Sequence, residues 1–274
     1  MEELAPAKVN LVLRVLRRRE DGFHEIETLM APISLCDSLQ VEPADVFQFQ
    51  SNDPTLPQGE DNLVVRAARS FFSATRRKPA LRITLQKRIP YGAGLGGGSS
   101  DAAATLRLLN RYCETSLTLT ELGALAVNLG SDVPFFLTPH PAICRGRGEI
   151  VEATILPQQF HLLLIKPQFG VPTIWAYSRW ARARQIPNGA YRPQKIGQQI
   201  FVNDLERPVF EKFVFLAELK SWLVQTGKIK IALMAGSGST IFAVLSSPTD
   251  AVSLIERARA ELDPHLWTAV CETL

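Results

Sequence analysis

The sequence predicts an α+β protein with two domains, at residues 1–154 and 155–274, and three observations support this prediction. The chain opens with the apolar–polar alternation of strands, and a glycine-rich loop precedes an amphipathic helix. The second half follows a β-α-β-β-α-β order, the split βαβ arrangement, once one extra helix is set aside. A chain of 274 residues that is 46% hydrophobic and 21% charged has enough apolar material for two packed cores.

The first two strands are predicted from their alternation and from a turn between them. The core-facing residues of "AKVNLVLRVL" are Ala7, Val9, Leu11, Leu13 and Val15. Lys8 and Asn10 lie on the opposite face, two residues apart and therefore side by side. Asp21-Gly22 predicts a turn, after which "HEIETLMAPISL" returns as the second strand of a hairpin.

The glycine-rich loop is expected between a strand and a helix. A helix is predicted at 62–72, and the segment at 80–90 begins as a strand and then runs into the loop. The helix after the loop has Ser99 or Ser100 as its expected N-cap, and Asp101 lies in its first turn.

The following helix has signals at both ends. Thr118 and Glu121 form a capping box, and Gly130 marks the C-terminus. The next residues, "SDVPFF", expose Asp132 between the helix end and a proline. Taken alone, an aspartate in this position is typical of a turn or a cap.

The second half predicts alternating strands and helices. The strands are expected at 160–166, 229–234, 240–245 and 265–274, and the helices at 173–183, 203–227 and 249–262. The predicted domain boundary lies near residue 155, in "EATILPQQ".

Composition excludes several classes of protein. A net charge of +3 is too small to predict a nucleic-acid-binding surface. The four cysteines have no paired spacing, which predicts neither disulfides nor a zinc site and fits a reducing compartment. No signal peptide or membrane-length apolar segment is evident, so we expect a cytoplasmic protein without membrane partners, whose oligomeric state stays open.

The loop "PYGAGLGGGSSD" concentrates backbone amides in front of a helix, which favours phosphate binding over a flexible linker. Gly92, Gly94 and Gly97 match the dinucleotide fingerprint, but "QKRIPY" separates the loop from its strand and no parallel strand follows. A Walker A loop is excluded because Gly98 stands at the position of the lysine.

The stretch from Pro90 to Asp101 resembles the central ATP-binding motif of the GHMP kinases. The form "GLGGGSSDAA" is most similar to the branch that phosphorylates 4-diphosphocytidyl-2-C-methyl-D-erythritol. "APAKVNLVLRV", "DGFHEIETLM", "NLVVRAA", "SDVPFF", "RGRGE", "NDLE" and "GSGST" also resemble that branch in order and approximate spacing. Three positions depart from the branch pattern, namely Phe23, Ser131 and Ala235, where tyrosine, alanine and serine are more common.

The resemblance implies the two-domain GHMP kinase fold, with a ribosomal-protein-like α+β domain before a ferredoxin-like split βαβ domain. It also implies transfer of the γ-phosphoryl group of ATP, with Mg²⁺, to the 2-hydroxyl of the cytidylyl polyol in the non-mevalonate isoprenoid pathway. The implied ATP-binding residues are Pro90, Tyr91, Gly92, Ala93, Gly94, Leu95, Gly96, Gly97, Gly98, Ser99 and Ser100, together with Asn62, Leu63 and Lys87. Whether either serine touches the metal ion stays open, because N-capping would explain both.

By the same resemblance, Lys8 and Asp132 are catalytic. The residues expected to bind the acceptor are Asn10, Phe23, His24, Tyr177, Gly236, Gly238 and Thr240, with Trp175 as the alternative to Tyr177. Two other functions stay open. One is a different GHMP kinase of a small alcohol, such as homoserine or mevalonate, and the other is a nucleotide-binding protein without catalysis.

Overall fold

The structure, a computed structural model, describes residues 1–183 and 191–274. Its strands are β1 (Glu2–Arg18), β2 (His24–Pro43), β3 (Gln48–Ser51), β4 (Leu81–Gln86), β5 (Ala142–Gly146), β6 (Ile150–Ala153), β7 (His161–Lys166), β8 (Gln194–Ile196), β9 (Gln199–Asn203), β10 (Ile229–Met234), β11 (Ile241–Leu245) and β12 (Trp267–Glu272). Its α-helices are α1 (Leu63–Thr75), α2 (Gly97–Tyr112), α3 (Leu119–Leu129), α4 (Thr173–Trp180), α5 (Glu206–Lys212), α6 (Val214–Gln225) and α7 (Ala251–Glu261).

The first sheet is built around the long hairpin of β1 and β2. Its strand order is β3-β4-β2-β1-β9-β8, and β5 pairs with β2 and carries β6. Helices α1, α2 and α3 pack together over a core that includes Phe71, Leu109 and Phe136. The predicted strand–turn–strand at the start of the chain is confirmed.

The second sheet has the strand order β10-β11-β7-β12, and every pairing in it is antiparallel. This is the order of a split βαβ unit, as the second half of the sequence predicts. Helices α6 and α7 contribute Leu216, Leu219 and Leu254 to its core.

The two sheets meet through a third apolar core. Ala7, Val9 and Leu11 of β1 belong to it, together with Leu164 of β7 and Leu233 of β10. The alternation of β1 therefore turns these side chains toward the second sheet. Lys8 and Asn10 are buried as well, but they line a cleft on the other side of the strand.

The predicted N-cap of α2 is wrong. The helix begins at Gly97, and Gly96 is its N-cap with a φ of 73°. A serine would be strained at this φ, whereas glycine is not. Ser99 and Ser100 consequently lie inside the first turn of the helix instead of in front of it.

The single helix predicted at 203–227 is also wrong. Asn203 ends β9, and two helices follow, α5 and α6, which are separated at Phe213. The buried side chains of "NDLE", between the end of β9 and the start of α5, make long-range hydrogen bonds.

The hairpin of β8 and β9 is absent from the sequence-based expectations. β9 pairs in parallel with β1, through Val12 opposite Val202 and Leu13 opposite Asn203, so it extends the first sheet. A segment from the second half of the chain thus completes the sheet of the first half. The division at residues 154 and 155 stays a prediction.

The longest helix in the described ranges, α2, has 16 residues. Within residues 1–183 and 191–274, no helix combines the length and the apolar character needed to cross a bilayer.

Candidate active site

A cleft of about 1180 Å³ lies between the glycine-rich loop, the β1–β2 hairpin and α4. The predicted site residues that line it are Lys8, Asn10, Phe23, His24, Asn62, Leu63, Lys87, Pro90, Tyr91, Gly92, Ala93, Gly94, Leu95, Gly96, Gly97, Gly98, Ser99, Asp132, Tyr177 and Gly236. Side chains from both halves of the chain therefore face one space.

The glycine-rich loop supplies the floor of the cleft. Gly92, Gly94 and Gly96 all have positive φ, a conformation that side chains disfavour. The first turn of α2 carries no side-chain cap, so its free amides remain available to a ligand. Free amides at the positive end of a helix dipole form an anion-binding site, and such a site requires no lysine in the loop.

The loop packs directly against the third motif, "AGSGST" at 235–240. A Cβ atom on Gly94 would lie 2.1 Å from the backbone oxygen of Ala235 and 2.9 Å from that of Gly238. The amide of Thr240 also donates to the carbonyl of Ala93, at 3.3 Å. The two glycine loops, one from each half of the chain, thus hold one another in position.

Lys8 and Asp132 form an ion pair across the cleft, with 3.6 Å between Nζ and Oδ2. The Lys8 side chain is 5% exposed and that of Asp132 is 32% exposed. Lys8 Nζ donates to Asn10 Oδ1 at 2.7 Å, and Asn10 Nδ2 donates to Thr28 Oγ1 at 2.8 Å. This chain of hydrogen bonds fixes the ammonium group, while the carboxylate keeps access to the cleft.

Asp132 owes its position to the end of α3. Gly130 terminates the helix, and a short 3-10 helix begins at Pro134, so the carboxylate projects from the turn between them. Gly148 lies opposite, where a Cβ atom would be 3.6 Å from Asp132 Oδ1. Because Gly148 has no side chain, the space beside the Asp132 carboxylate is narrow but stays open.

Aromatic side chains gather at the other end of the cleft. The His24 and Tyr177 rings are 5.4 Å apart between centroids, and the Arg147 guanidinium lies 4.8 Å from the centroid of Phe23. Burial and the charge of Arg18 lower the pKa of His24, so its imidazole is neutral at neutral pH. A neutral imidazole offers one hydrogen-bond donor and one acceptor.

The two aromatic alternatives on α4 lie on different sides of the helix. Tyr177 lines the cleft, and burial, followed by the charge of Asp132, raises the pKa of its hydroxyl. Trp175 instead packs edge-on against Phe213, and the Lys212 ammonium lies 4.8 Å from its ring. Only Tyr177 of this pair faces the cleft.

Three other predicted residues lie behind the cleft wall. Ser100 and Thr240 are buried, and Gly238 faces the side chain of Met234. The hydroxyls of Ser100 and Thr240 have no hydrogen-bond partner among the described residues.

Lys87 lies between two buried carboxylates. Its Nζ is 2.5 Å from Asp37 Oδ2 and 2.8 Å from Asp101 Oδ2. Burial alone would lower the pKa of Lys87, but the two carboxylates outweigh that effect and raise it. Burial raises the pKa of Asp101 to about 8, against the opposing effect of Lys87. The cluster therefore holds one proton more than free side chains would at neutral pH.

The proton on Asp101 predicts a pH dependence of stability. The folded chain keeps this proton up to about pH 8, whereas an unfolded aspartate loses it near pH 4. Unfolding between these values releases the proton, so the free energy of unfolding falls as the pH rises. We expect Asp101→Asn to remove this dependence, because an amide does not titrate.

Urea titrations at pH 5 and pH 8 measure the effect. At each pH, the free energy of unfolding of wild type is subtracted from that of Asp101→Asn. This difference should be larger at pH 8 than at pH 5 by at least about 1.4 kcal/mol, which corresponds to one pKa unit. Asp45→Asn, at an exposed position outside the cleft lining, serves as the control. An equal effect of Asp101→Asn at both pH values would contradict the prediction.

Several residues that line the cleft or contact its lining were absent from the sequence-based set. Arg147 comes from the "RGRGE" turn, which carries the resemblance but received no role. Asp37 shows no sequence signal at all, because it reaches Lys87 only across the sheet. Ser237 lies beside the predicted Gly236, and its hydroxyl is 2.8 Å from that of Thr173 on α4.

Across the described ranges, no group of three or more histidine, cysteine, aspartate or glutamate side chains is placed to hold a metal ion. All four cysteines are free thiols.

Known proteins show the same architecture. Residues 62–139 match the family description "GHMP kinases N terminal domain", and residues 192–263 match "GHMP kinases C terminal". A crystal structure of a 4-(cytidine 5'-diphospho)-2C-methyl-D-erythritol kinase is similar at a TM-score of 0.79 and 38% identity, covering 99% of each chain. A homoserine kinase from Cytophaga hutchinsonii has a TM-score of 0.73 at 17% identity, covering 100% of this chain and 94% of its own, which shows a shared fold.

Curated relatives give a narrower family. The 4-diphosphocytidyl-2-C-methyl-D-erythritol kinase of Methylacidiphilum infernorum is 42% identical, covering 100% of this chain and 97% of its own length. The kinase of the same name from Syntrophotalea carbinolica is 41% identical over 89% of both chains. With both GHMP domains matched and relatives this similar along its length, the chain belongs to the GHMP kinase family and, within it, to the 4-diphosphocytidyl-2-C-methyl-D-erythritol kinases.

Proposed function

We propose that the chain transfers the γ-phosphoryl group of ATP to the 2-hydroxyl of 4-diphosphocytidyl-2-C-methyl-D-erythritol. One observation carries the proposal beyond family membership. A single cleft joins an anion-binding loop, a lysine–aspartate pair and an aromatic pocket with a neutral histidine. These three parts match a triphosphate donor, an alcohol nucleophile and a pyrimidine base.

The triphosphate binds over the glycine-rich loop. Backbone amides of the loop and of the first turn of α2 meet the phosphate oxygens, since this end of the helix is positive. Asn62, Leu63 and Lys87 then lie toward the adenine. Asn62 is the N-cap of α1, and Lys87 is held between Asp37 and Asp101, so both are rigid.

Asp132 aligns the acceptor hydroxyl and accepts its proton. A carboxylate is a weak base toward an alcohol, so the proton leaves late, as the bond from oxygen to phosphorus forms. Lys8 pairs with Asp132 and stabilises negative charge that develops on the transferred group. Asn10 holds the Lys8 ammonium in place from the same strand.

Mg²⁺ is part of the proposal. This ion is commonly held by phosphate oxygens and by only one or two protein carboxylates, so a preformed cluster of protein ligands is not required. The chain can offer the Asp132 carboxylate and the Ser99 hydroxyl, which both line the cleft. When bound, the ion neutralises charge on the phosphates.

The cytosine of the acceptor stacks between Phe23 and Tyr177. Stacking on aromatic rings is worth about 1–3 kcal/mol per base, but it does not distinguish cytosine from uracil. His24 supplies that distinction, because its donor and acceptor match the ring nitrogen and amino group of cytosine. A wrong base would leave these buried polar groups unpaired.

We therefore expect His24→Ala and Phe23→Ala to weaken binding of CDP by about fivefold or more, since each removes contacts worth about 1 kcal/mol or more. The affinity for a non-hydrolysable ATP analogue should stay the same, because neither residue belongs to the glycine-rich loop. Isothermal titration calorimetry with both ligands measures the two affinities. His161→Ala is the matched control, since His161 is exposed on β7 and lies outside the cleft lining.

An acceptor panel tests the function itself. The protein is incubated with ATP, Mg²⁺ and either the cytidylyl polyol, free methylerythritol, homoserine or mevalonate, and the products are identified by mass. We expect the cytidylyl polyol to be phosphorylated and free methylerythritol to be a poor acceptor. Faster phosphorylation of homoserine or mevalonate would replace the proposed substrate, and no transfer to any acceptor would favour a nucleotide-binding protein without catalysis.

The location in the cell belongs to the same proposal. We propose a cytoplasmic enzyme that acts on a small molecule, which its free thiols and its modest net charge of +3 support.

A further inference from the structure

The "NDLE" motif at 203–206 carries the resemblance to the family, but no part of the proposed reaction uses it. Asn203, Asp204 and Glu206 are buried, with relative exposures of 0%, 8% and 1%. The motif begins at the last residue of β9, where Asn203 pairs with Leu13 of β1. Buried polar side chains are costly unless they are hydrogen-bonded, so their partners indicate their role.

The Asn203 side chain is bonded entirely to backbone. Its Nδ2 donates to the carbonyl of Met234 at 2.8 Å and to the carbonyl of Gly236 at 2.7 Å, and its Oδ1 accepts from the amide of Leu205 at 2.9 Å. One amide group thus ties the end of β9 to the end of β10 and to the third motif, "AGSGST". Because Asn203 is fully buried, water cannot replace these bonds.

Gly236 occupies the space beside the reacting groups. A Cβ atom on Gly236 would lie 3.3 Å from Lys8 Nζ, 3.5 Å from Asn10 Oδ1 and 2.9 Å from the carbonyl oxygen of Gly94. Gly236 also lines the cleft. A shift of the Gly236 backbone would therefore displace both Lys8 and the glycine-rich loop.

The side chains of Glu206 and Asp204 bond to different parts of the fold. Glu206 Oε1 accepts from the amide of Met234 at 2.9 Å, and its Oε2 accepts from Lys220 Nζ at 2.6 Å. Asp204 turns the opposite way, and its Oδ2 accepts from the amide of Val15 on β1 at 3.0 Å. Asn203 and Glu206 thus bond to the end of β10, whereas the Asp204 carboxylate accepts, within the described residues, from Arg14 and Val15 of β1 and from the Tyr191 hydroxyl.

We propose that Asn203 is a positioning residue for phosphoryl transfer, which acts by holding the Gly236 backbone against Lys8. This inference rests on the proposed function, and it adds a role for a residue that touches neither substrate. A displacement of about 1 Å at a reacting centre can lower the rate by about 10²-fold. The loss of both Asn203 donors therefore affects turnover more than ligand affinity.

Asn203→Asp is the sharpest test. It keeps the shape and the acceptor for the Leu205 amide but replaces the Nδ2 donor with an oxygen that faces two carbonyls. We expect kcat to fall by about 10- to 100-fold. The calorimetric Kd values for CDP and for the ATP analogue should stay within about threefold of wild type, as for an interaction needed only in the transition state.

Asp204→Asn is the matched control, because it alters the neighbouring carboxylate and leaves the hydrogen bonds to the third motif, "AGSGST", in place. Its kcat should stay within about threefold of wild type even where its Tm falls. Equal losses of kcat in both variants, or an unchanged kcat in folded Asn203→Asp, would overturn the proposal.

A second variant guards against misfolding of the first. Asn203→Ser removes the amide donors without adding a charge, and it should show the same loss of kcat. If neither variant folds, Asn203 has a structural role only and the proposal is wrong. Wild-type turnover is measured in the same experiment. If the wild type does not phosphorylate the cytidylyl polyol, the proposed function is refuted separately from this inference. The variants are then compared on the acceptor that the panel identifies.

Discussion

We expect Asp132→Asn to lower kcat by about 10²- to 10⁴-fold and to leave the affinity for the ATP analogue at its wild-type value. The size of the effect is that of general-base catalysis, which the amide cannot provide. The substitution keeps the shape of a side chain that is 32% exposed and forms no part of a core cluster, so the fold is retained. The loss of activity should appear in kcat, because the proton is transferred only in the transition state.

Steady-state kinetics with the cytidylyl polyol and calorimetry with the ATP analogue measure the two quantities separately. Asp45→Asn makes the same chemical change at an exposed position outside the cleft lining, and it should leave both values unchanged. Turnover of Asp132→Asn near the wild-type rate would remove Asp132 from the mechanism.

Gly94→Ala has the second large expected effect. Gly94 has a φ of 77°, and a Cβ atom there would lie 2.1 Å from the backbone oxygen of Ala235. The left-handed backbone costs about 1–2 kcal/mol, and forced displacement of packed groups costs about 1–3 kcal/mol more. We expect Tm to fall by at least about 4 °C and binding of the ATP analogue to weaken at least about tenfold, since the loop cannot keep its shape.

Gly98→Ala is the matched substitution in the same loop. Its Cβ atom would meet only Leu63 Cδ1, at 3.6 Å, which is an ordinary contact. Thermal unfolding should therefore leave its Tm close to wild type. A Gly94→Ala variant with unchanged Tm and unchanged nucleotide affinity would mean that the two glycine loops do not support one another.

The sequence alone determined the features that depend on near neighbours along the chain. The alternation of Ala7, Val9 and Leu11 predicted a strand with one apolar face, because successive side chains of a strand point to opposite sides. The capping box of Thr118 and Glu121 predicted where α3 begins, and both of its hydrogen bonds are present. The glycine-rich loop was predicted from composition, since positive φ favours glycine.

Only the tertiary structure decided the features that depend on contacts between distant residues. No local pattern pairs Lys87 with Asp37 or β9 with β1, because these groups meet across a sheet. The start of α2 at Gly97 was missed, because Gly96 takes a conformation that its packing against Phe136 and Lys8 allows only to a residue without a Cβ atom. Likewise Tyr177, and not Trp175, faces the cleft because the Trp175 ring packs against Phe213. The order of residues along the chain thus sets the local elements, whereas side-chain partners are selected by burial between elements that the sequence places far apart.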